Sequence, residues 1–352
     1  MKLKVFSLLV AIVMLFAVTG CEPKEIAVDV SSNQTSQPTD DANYVNPLTG
    51  LKADASVKNQ RPVAIMVNNV SVAQGVQSGL TSADIVYEAY AEGGITRLLA
   101  VFKDANKIPR VGSIRSARYS FVDLALGHDA IYVHAGINNS HCVPHVKETG
   151  IDNINLNSGR PSNYGQRVPN GLATEHTLYS SGEKLVQCFK DLSWRTELKK
   201  AETPWQNFAE EGSPVTLTDG ACKEVSIKMS AASTTKFVYD SASGKYVRYK
   251  GDTAMKDFTS GEQMAFTNVL VLETDVTLLG NDGKYNIMKT GLEGGEGYYI
   301  SGGNYQKIKW SKGAAEASFT FTLADGSECK YNPGNTWVSL MNKEFSATIV
   351  GE

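Results

Sequence analysis

The chain has 352 residues, of which 34 are basic and 37 acidic, for a formal net charge of -3. Proteins that bind nucleic acid usually carry a basic face, and this balance provides none, so nucleic acid is set aside as a partner of the mature form. No repeat of fixed period and no heptad run is present, which removes solenoids and coiled coils.

At the N-terminus, Lys2 and Lys4 precede an apolar run of 14 residues from Val5 to Val18. A spanning helix needs about 18 or more apolar residues, so this run fits the core of a secretory signal instead. Val18-Thr19-Gly20-Cys21 has the pattern of a lipobox, small residues before a thiol that is acylated and becomes the new N-terminus. Residues 1–20 are therefore read as a signal peptide and Cys21 as the lipidation site. The membrane is the first expected partner, reached through acyl chains such as palmitate, each buried methylene contributing about 0.8 kcal/mol. The predicted location is the cell membrane, lipid-anchored, on its extracytoplasmic face. Residues 21–45 are poor in large apolar groups and rich in Ser, Thr, Asp, Asn, Gln and Pro. Such a stretch buries too little surface to offset its ordering entropy, and it reads as a disordered tether.

The remainder, from Asn46 to Glu352, is long enough for two domains. Pro62 to Asn69 is a continuous apolar run closed by turn formers, the pattern of a strand buried on both faces. Asp84 to Ala91 and Thr96 to Phe102 predict a hairpin around the loop Glu92-Gly93-Gly94-Ile95. Ile114, Ala117, Phe121, Leu124 and Ala125 recur at helical spacing, with Ser113 as the expected start and Gly127 as the expected end. Ala130 to His134 predicts a short strand and Ser181 to Leu192 a second helix with Leu185, Val186, Phe189 and Leu192 inward. Beyond Trp205 the texture changes to short β-type runs punctuated by Ser243-Gly244, Asp282-Gly283 and Asp325-Gly326. The glycine-rich Gly291 to Gly297 lacks the Lys-Ser/Thr ending of a phosphate loop and reads as a β-turn loop. The predicted fold class is α+β: a mixed α/β domain over 46–205, then a mainly antiparallel β domain over 206–352.

Several segments in this order resemble the YerB lipoprotein family. They are Asn46-Pro47-Leu48-Thr49-Gly50, Arg61-Pro62-Val63-Ala64, Ala83 to Glu88, Glu92-Gly93-Gly94-Ile95-Thr96-Arg97, Val111 to Arg118 and Tyr132 to Gly136. Tyr246-Val247-Arg248, Asn268 to Val271, Lys309-Trp310 and Pro333 to Trp337 continue the resemblance. It covers nearly all of the mature chain and implies a two-part domain of unknown function, hence a location and an architecture but no reaction. At Thr174 to Tyr179 only His176 keeps the family pattern, and Asn138 to His145 departs from it.

Four candidate constellations carry chemistry. On the predicted helix, Arg115 and Arg118 would share one face of the first turn, beside the free N–H groups that favour anions. Arg97 joins them as an anion-binding candidate. Cations at a helix start oppose the dipole by about 0.3 to 1 kcal/mol each, so Glu88, Glu92 or an anionic ligand is expected to compensate them. The bland alternative is an internal salt-bridge network between these arginines and those carboxylates. All five histidines fall between His128 and His176. His134, at a strand end, and His176, in a loop, are acid-base candidates. His141 and His145 stand at i, i+4, but Pro144 lies between them and position 142 is Cys rather than the zincin Glu, so no metal and no other cofactor is assigned. Cys142, Cys188, Cys222 and Cys329 are an even set in an oxidising location, and the local pairs Cys142 to Cys188 and Cys222 to Cys329 are the economical disulfides. The sequence thus favours a ligand-binding or scaffolding lipoprotein of the cell envelope, with a cell-wall polymer or envelope protein as further partner. The alternative is an envelope hydrolase acting on a cell-wall or anionic polymer, with His134 and His176 as acid and base. Trp310 and Trp337 offer a third reading, a binding surface on the β domain, against the commoner fate of strand aromatics as core.

Overall fold

Strand β1, Val63–Asn68, is buried along its whole length, as its unbroken apolar run predicts. The computed structural model describes residues 44–138, 140–201 and 204–351. The predicted signal peptide, Cys21 and the tether up to residue 43 lie outside the described residues. Strands β2, Ile85–Glu92, and β3, Ile95–Phe102, form the predicted hairpin with a tighter turn. Glu92 pairs with Ile95, so Gly93 and Gly94 alone reverse the chain, Gly93 at φ 50°. After the short strand β4, Val111–Gly112, come helix α1, Tyr119–Leu126, and strand β5, Ile131–His134. Helix α2, Cys142–Thr149, strand β6, Asn153–Asn155, and helix α3, Gly182–Asp191, complete the N-terminal part. Pro144 sits in the first turn of α2, where its missing N–H costs nothing. In α3 the Ser181 side chain caps the first turn, and Leu185 and Phe189 are buried.

In the large sheet β3 pairs antiparallel with β1 and β2, while β5 runs parallel to β1 and β6 parallel to β5. On its other edge β2 pairs in parallel with Thr336–Asn342, Val86 opposite Trp337 and Glu88 opposite Ser339. That strand is parallel in turn to Asn268–Thr274, beside which Gly294–Ser301 and Asn304–Lys312 run antiparallel. Strands from both sides of Trp205 thus build one sheet. A second, antiparallel sheet joins Ala347–Val350, Glu224–Ser230, Ser233–Asp240 and Lys245–Lys250. The N-terminal part is mixed and the C-terminal part mainly antiparallel, an α+β fold.

Alternation along the strands gives the large sheet two apolar faces. Val63, Ile65, Val67 and Val86 pack with Val225, Ile227 and Phe237 of the second sheet and with Leu185 and Phe189 of α3. Ala64, Met66, Tyr87 and Leu99 form the opposite face, covered by Phe121 and Leu124 of α1 and by Phe319 and Phe321.

Three expectations need correcting. Among the described residues, Cys142, Cys188, Cys222 and Cys329 are free and buried. Cys142 and Cys329 belong to the core on the α1 side, whereas Cys188 and Cys222 belong to the core on the other side, so the sheet separates the members of each expected pair. Trp310 and Trp337 are core residues, not a surface: Trp337 donates to Ser339 Oγ at 2.9 Å and Trp310 to the Glu273 carbonyl at 3.2 Å. The glycine-rich loop runs into a strand, because side chains at Gly295 and Gly297 would strike the neighbouring carbonyls of Glu273 and Val271.

His128 lies just beyond α1, half-buried beside Tyr87, whose hydroxyl stands 2.8 Å from its Nε2. Burial pushes this imidazole from 6.5 down to about 3, so it is neutral in the folded protein. Between those two values the unfolded chain binds more protons than the folded one. The stability that His128 contributes is complete above pH 6.5 and declines as the pH falls toward 3, by at most about 1.4 kcal/mol per pH unit. Thermal melts of the parent and a His128→Gln variant should therefore converge, or cross, on going from about pH 7 to about pH 4. A constant gap between the two melting temperatures across that range would contradict a neutral His128.

Candidate anion-binding site

The helical spacing of Ile114 and Ala117 predicts a helix between β4 and α1, and the segment is not helical. Its backbone is sewn into three neighbours: Arg115 N–H donates to Met66 O, Ile114 N–H to Leu178 O and Ala117 N–H to Gly136 O, at 3.1, 2.7 and 2.9 Å. These bonds hold residues 113–117 extended at the carboxyl ends of β1 and β5, and the helix starts only at Tyr119, with Arg118 in extended conformation as its N-cap. Arg115 and Arg118 therefore do not share the first turn, and the helix-dipole argument does not apply to Arg115. The position at the ends of adjacent parallel strands is where open α/β sheets gather ligands.

Glu92 reaches this place through a β-bulge. Along β2, Val86 and Tyr90 face the second sheet, while Ile85, Tyr87 and Ala89 face α1. The register shifts between Tyr90 and Glu92, and the extra residue turns the Glu92 side chain to the α1 face. There its Oε1 accepts from Arg97 Nη2 at 2.9 Å and also from Arg118 Nη2. Arg97 Nη1 donates to the Ser116 carbonyl at 2.5 Å and Arg118 Nη1 to the Ala117 carbonyl at 2.7 Å. The side chains of Arg97, Glu92 and Arg118 are 5%, 6% and 9% exposed. Two buried guanidinium groups thus share one buried carboxylate. Burial pushes both below the ordinary arginine range, but from a starting value so high that they stay charged.

Two cavities open beside this group. One, of about 360 Å³, is lined by Arg118, Ser116, Asn138, Asp282 and Tyr285 among others. The second, of about 140 Å³, is lined by Arg115, Arg167, Ser116, Gly136 and Glu175 among others. Arg115 Nη1 lies 3.8 Å from the exposed Glu175 carboxylate, and Arg167 Nη2 donates to Asn157 Oδ1 at 3.1 Å. The Nε atoms of Arg115 and Arg118 are buried without a hydrogen-bond partner. On the rim, Asp282 accepts from Asn138 at 2.9 Å, and its own turn amides, Tyr285 N–H first, hold its carboxyl below the ordinary range.

Of the residues picked from sequence, Arg97, Arg118 and Glu92 meet, and Arg115 flanks them. Glu88 does not join: it lies on the other face of β2, where its carboxylate accepts from Asn69, Thr96 and Thr235. The two histidines are tied into the fold. His134 Nδ1 donates to the Gly136 carbonyl at 2.8 Å, its Nε2 stands 3.0 Å from the Asn153 amide, and burial lowers its pKa. His176 Nδ1 accepts from Asn68 Nδ2 at 2.7 Å, leaving Nε2 3.4 Å from Glu175. Neither imidazole lines either cavity. His145 pairs with Asp123 at 2.7 Å and stacks on Tyr119 at 3.9 Å, while His141 stands at the N-cap position of α2 and makes no side-chain cap bond, so the two do not pair with a common group. Among the described residues no group of His, Cys, Asp and Glu could hold a metal ion. Sequence reasoning missed Ser116, although it stands between Arg115 and Arg118, and it missed Arg167, Asn138, Asp282 and Tyr285, which arrive from segments far apart in the chain. The Asp282-Gly283 turn signal and the atypical Asn138 to His145 segment marked two of them.

The chain matches a family already described. Protein of unknown function (DUF3048) aligns in two parts, its N-terminal domain over residues 48–195 and its C-terminal domain over 225–338. The chain belongs to this two-part YerB-like family. It is 29% identical over 346 residues to a Bacillus subtilis (strain 168) protein named "Putative lipoprotein YerB", covering 95% of this chain and 94% of that one. The crystal structure of YerB protein from Bacillus subtilis superposes with a TM-score of 0.72 at 28% identity, over 87% of this chain and 100% of that one.

Removing the shared carboxylate leaves two guanidinium groups buried and uncompensated. Glu92→Gln should therefore lose about 3–5 kcal/mol in urea unfolding. A loss below about 1 kcal/mol would show that the pairing is solvated and not a structural requirement of the site.

Proposed function

We propose that the mature protein is a membrane-anchored lipoprotein of the extracytoplasmic face, acylated on Cys21, that holds an anionic ligand without transforming it. The signal and lipobox pattern of residues 1–21 and the name of the Bacillus subtilis relative support the anchor. No helix among the described residues is long and apolar enough to cross a membrane. The observation that carries the ligand reading is Arg118: nine-tenths buried, sharing its one carboxylate, Glu92, with Arg97, and lining an open cavity. A phosphate or carboxylate in that cavity would offset the positive charge that Glu92 leaves over and accept charge-assisted bonds from the guanidinium. No observation favours hydrolysis, since both nitrogens of His134 face partners within the fold.

Two measurements test this reading. Cells expressing the full chain and given alkynyl palmitate should label it and retain it with the membrane, and Cys21→Ala should lose both properties. Membrane retention and label in Cys21→Ala would rule the anchor out. Titration calorimetry of the detergent-solubilised mature chain with inorganic phosphate should give saturable heat that disappears in Arg118→Gln, while Arg118→Lys, which keeps the charge but not the fork, weakens it. Equal heat in the parent and Arg118→Gln would place phosphate elsewhere.

A further inference from the structure

The two cavities beside Arg118 and Arg115 are neighbours with a shared wall. Ser116 lines both, and its Oγ is turned to the Ala135 carbonyl at 3.0 Å. Gly136, at φ 87°, brings the facing chain so close that a Cβ there would stand 3.0 Å from Ser116 Oγ. The ridge between the cavities is therefore low and carries no bulky side chain. On each side of it stands an arginine whose Nε is buried and unpartnered, Arg118 on one and Arg115 on the other. Arg97 adds charge behind the first and Arg167 beside the second, against one buried carboxylate, Glu92, and two others nearer solvent, Asp282 and Glu175.

We propose that the two cavities are paired subsites for one polyanion with repeated phosphate groups, one phosphate in each cavity and the linking atoms over Ser116. This deepens the anion-binding reading and rests on it. A single phosphate meets the arginines of one cavity, whereas a chain of phosphates meets those of both, Arg118 in one and Arg115 with Arg167 in the other, the second contact forming within the complex already made. Asp282 and Glu175 stand on the rims, where their charge repels a polyanion and limits its affinity. Asp282 is charged at neutral pH, held so by the turn amides of Tyr285 and Lys284.

Calorimetry on the detergent-solubilised mature chain, with inorganic phosphate and tripolyphosphate as probes, distinguishes the possibilities. Tripolyphosphate should bind about ten-fold or more tightly than phosphate. Arg115→Gln should bring tripolyphosphate down to the affinity of phosphate. Asp282→Asn should tighten tripolyphosphate several-fold, about 3-fold or more, by removing a repelling charge. Ser116→Asp, which leaves the buried Arg97–Glu92–Arg118 group intact, should abolish tripolyphosphate binding, with circular dichroism and the melting temperature confirming the fold. Tripolyphosphate binding no tighter than phosphate, or unaffected by Arg115→Gln, overturns the paired subsites while the single-anion reading stands. Absence of heat with either probe overturns both.

Discussion

Glu88 is wholly buried on β2, yet its carboxylate is satisfied from four directions. Oε1 accepts from Asn69 Nδ2 and Thr96 Oγ1, and Oε2 from Thr235 Oγ1 and Ser339 Oγ, at 2.9, 2.9, 2.8 and 3.3 Å. The donors come from the end of β1, from β3, from the second sheet and from the strand Thr336–Asn342. An ionised carboxylate taken from water without partners costs several kcal/mol, so all of these segments must be in register before Glu88 can be enclosed. The opposite charge is Arg248, 1% exposed, which donates to Gln77 Oε1 and Asn69 Oδ1 and lies 4.6 Å over the Trp337 ring. Asn69 thus serves both charges, its amide nitrogen to Glu88 and its oxygen to Arg248. The two sheets and the two parts of the chain depend on this shared polar group, because an apolar contact would tolerate sliding and this one does not.

The same strand repeats the device on its other face. Four positions after Glu88, the bulge sends Glu92 toward α1, where it takes two guanidinium groups instead of four hydroxyl and amide donors. The difference decides their roles. Glu88 has its oxygens filled by neutral donors and answers one arginine, Arg248, whose Nε is also buried without a partner but which lines neither cavity. Glu92 answers two arginines at once, one of them lining an open cavity, so positive charge remains. The first arrangement closes the fold, and the second leaves a site.

Placing that site at the ends of β1 and β5 also explains the use of residues 111–118. A helix there would have consumed its own backbone groups. Extended, the segment ties β1, Gly136 and Leu178 together and presents Arg115, Ser116 and Arg118 to neighbouring cavities. The histidines serve the same framework: His134 holds the turn at Gly136, and His176 holds Asn68 at the end of β1.

Much of the secondary structure was legible, because it arises from local patterns: the buried run of β1, the hairpin of β2 and β3, the Ser181 cap of α3 and the short strands after Trp205. The sequence alone also grouped Arg115 and Arg118 with Glu88 or Glu92 and added Arg97, since the charges required each other; the structure joins Arg97, Arg118 and Glu92, leaves Arg115 beside them and turns Glu88 away. What it could not decide were features set by distant partners. The helical spacing of Ile114 and Ala117 lost to hydrogen bonds from Met66, Leu178 and Gly136. Glu88 and Glu92, equivalent by periodicity, were assigned to opposite faces by a one-residue bulge. The even cysteine set was divided by a sheet whose faces only the assembled strands define. Periodicity records which face a residue prefers, whereas tertiary structure determines what stands opposite that face, and the chemistry of this site depends on the second.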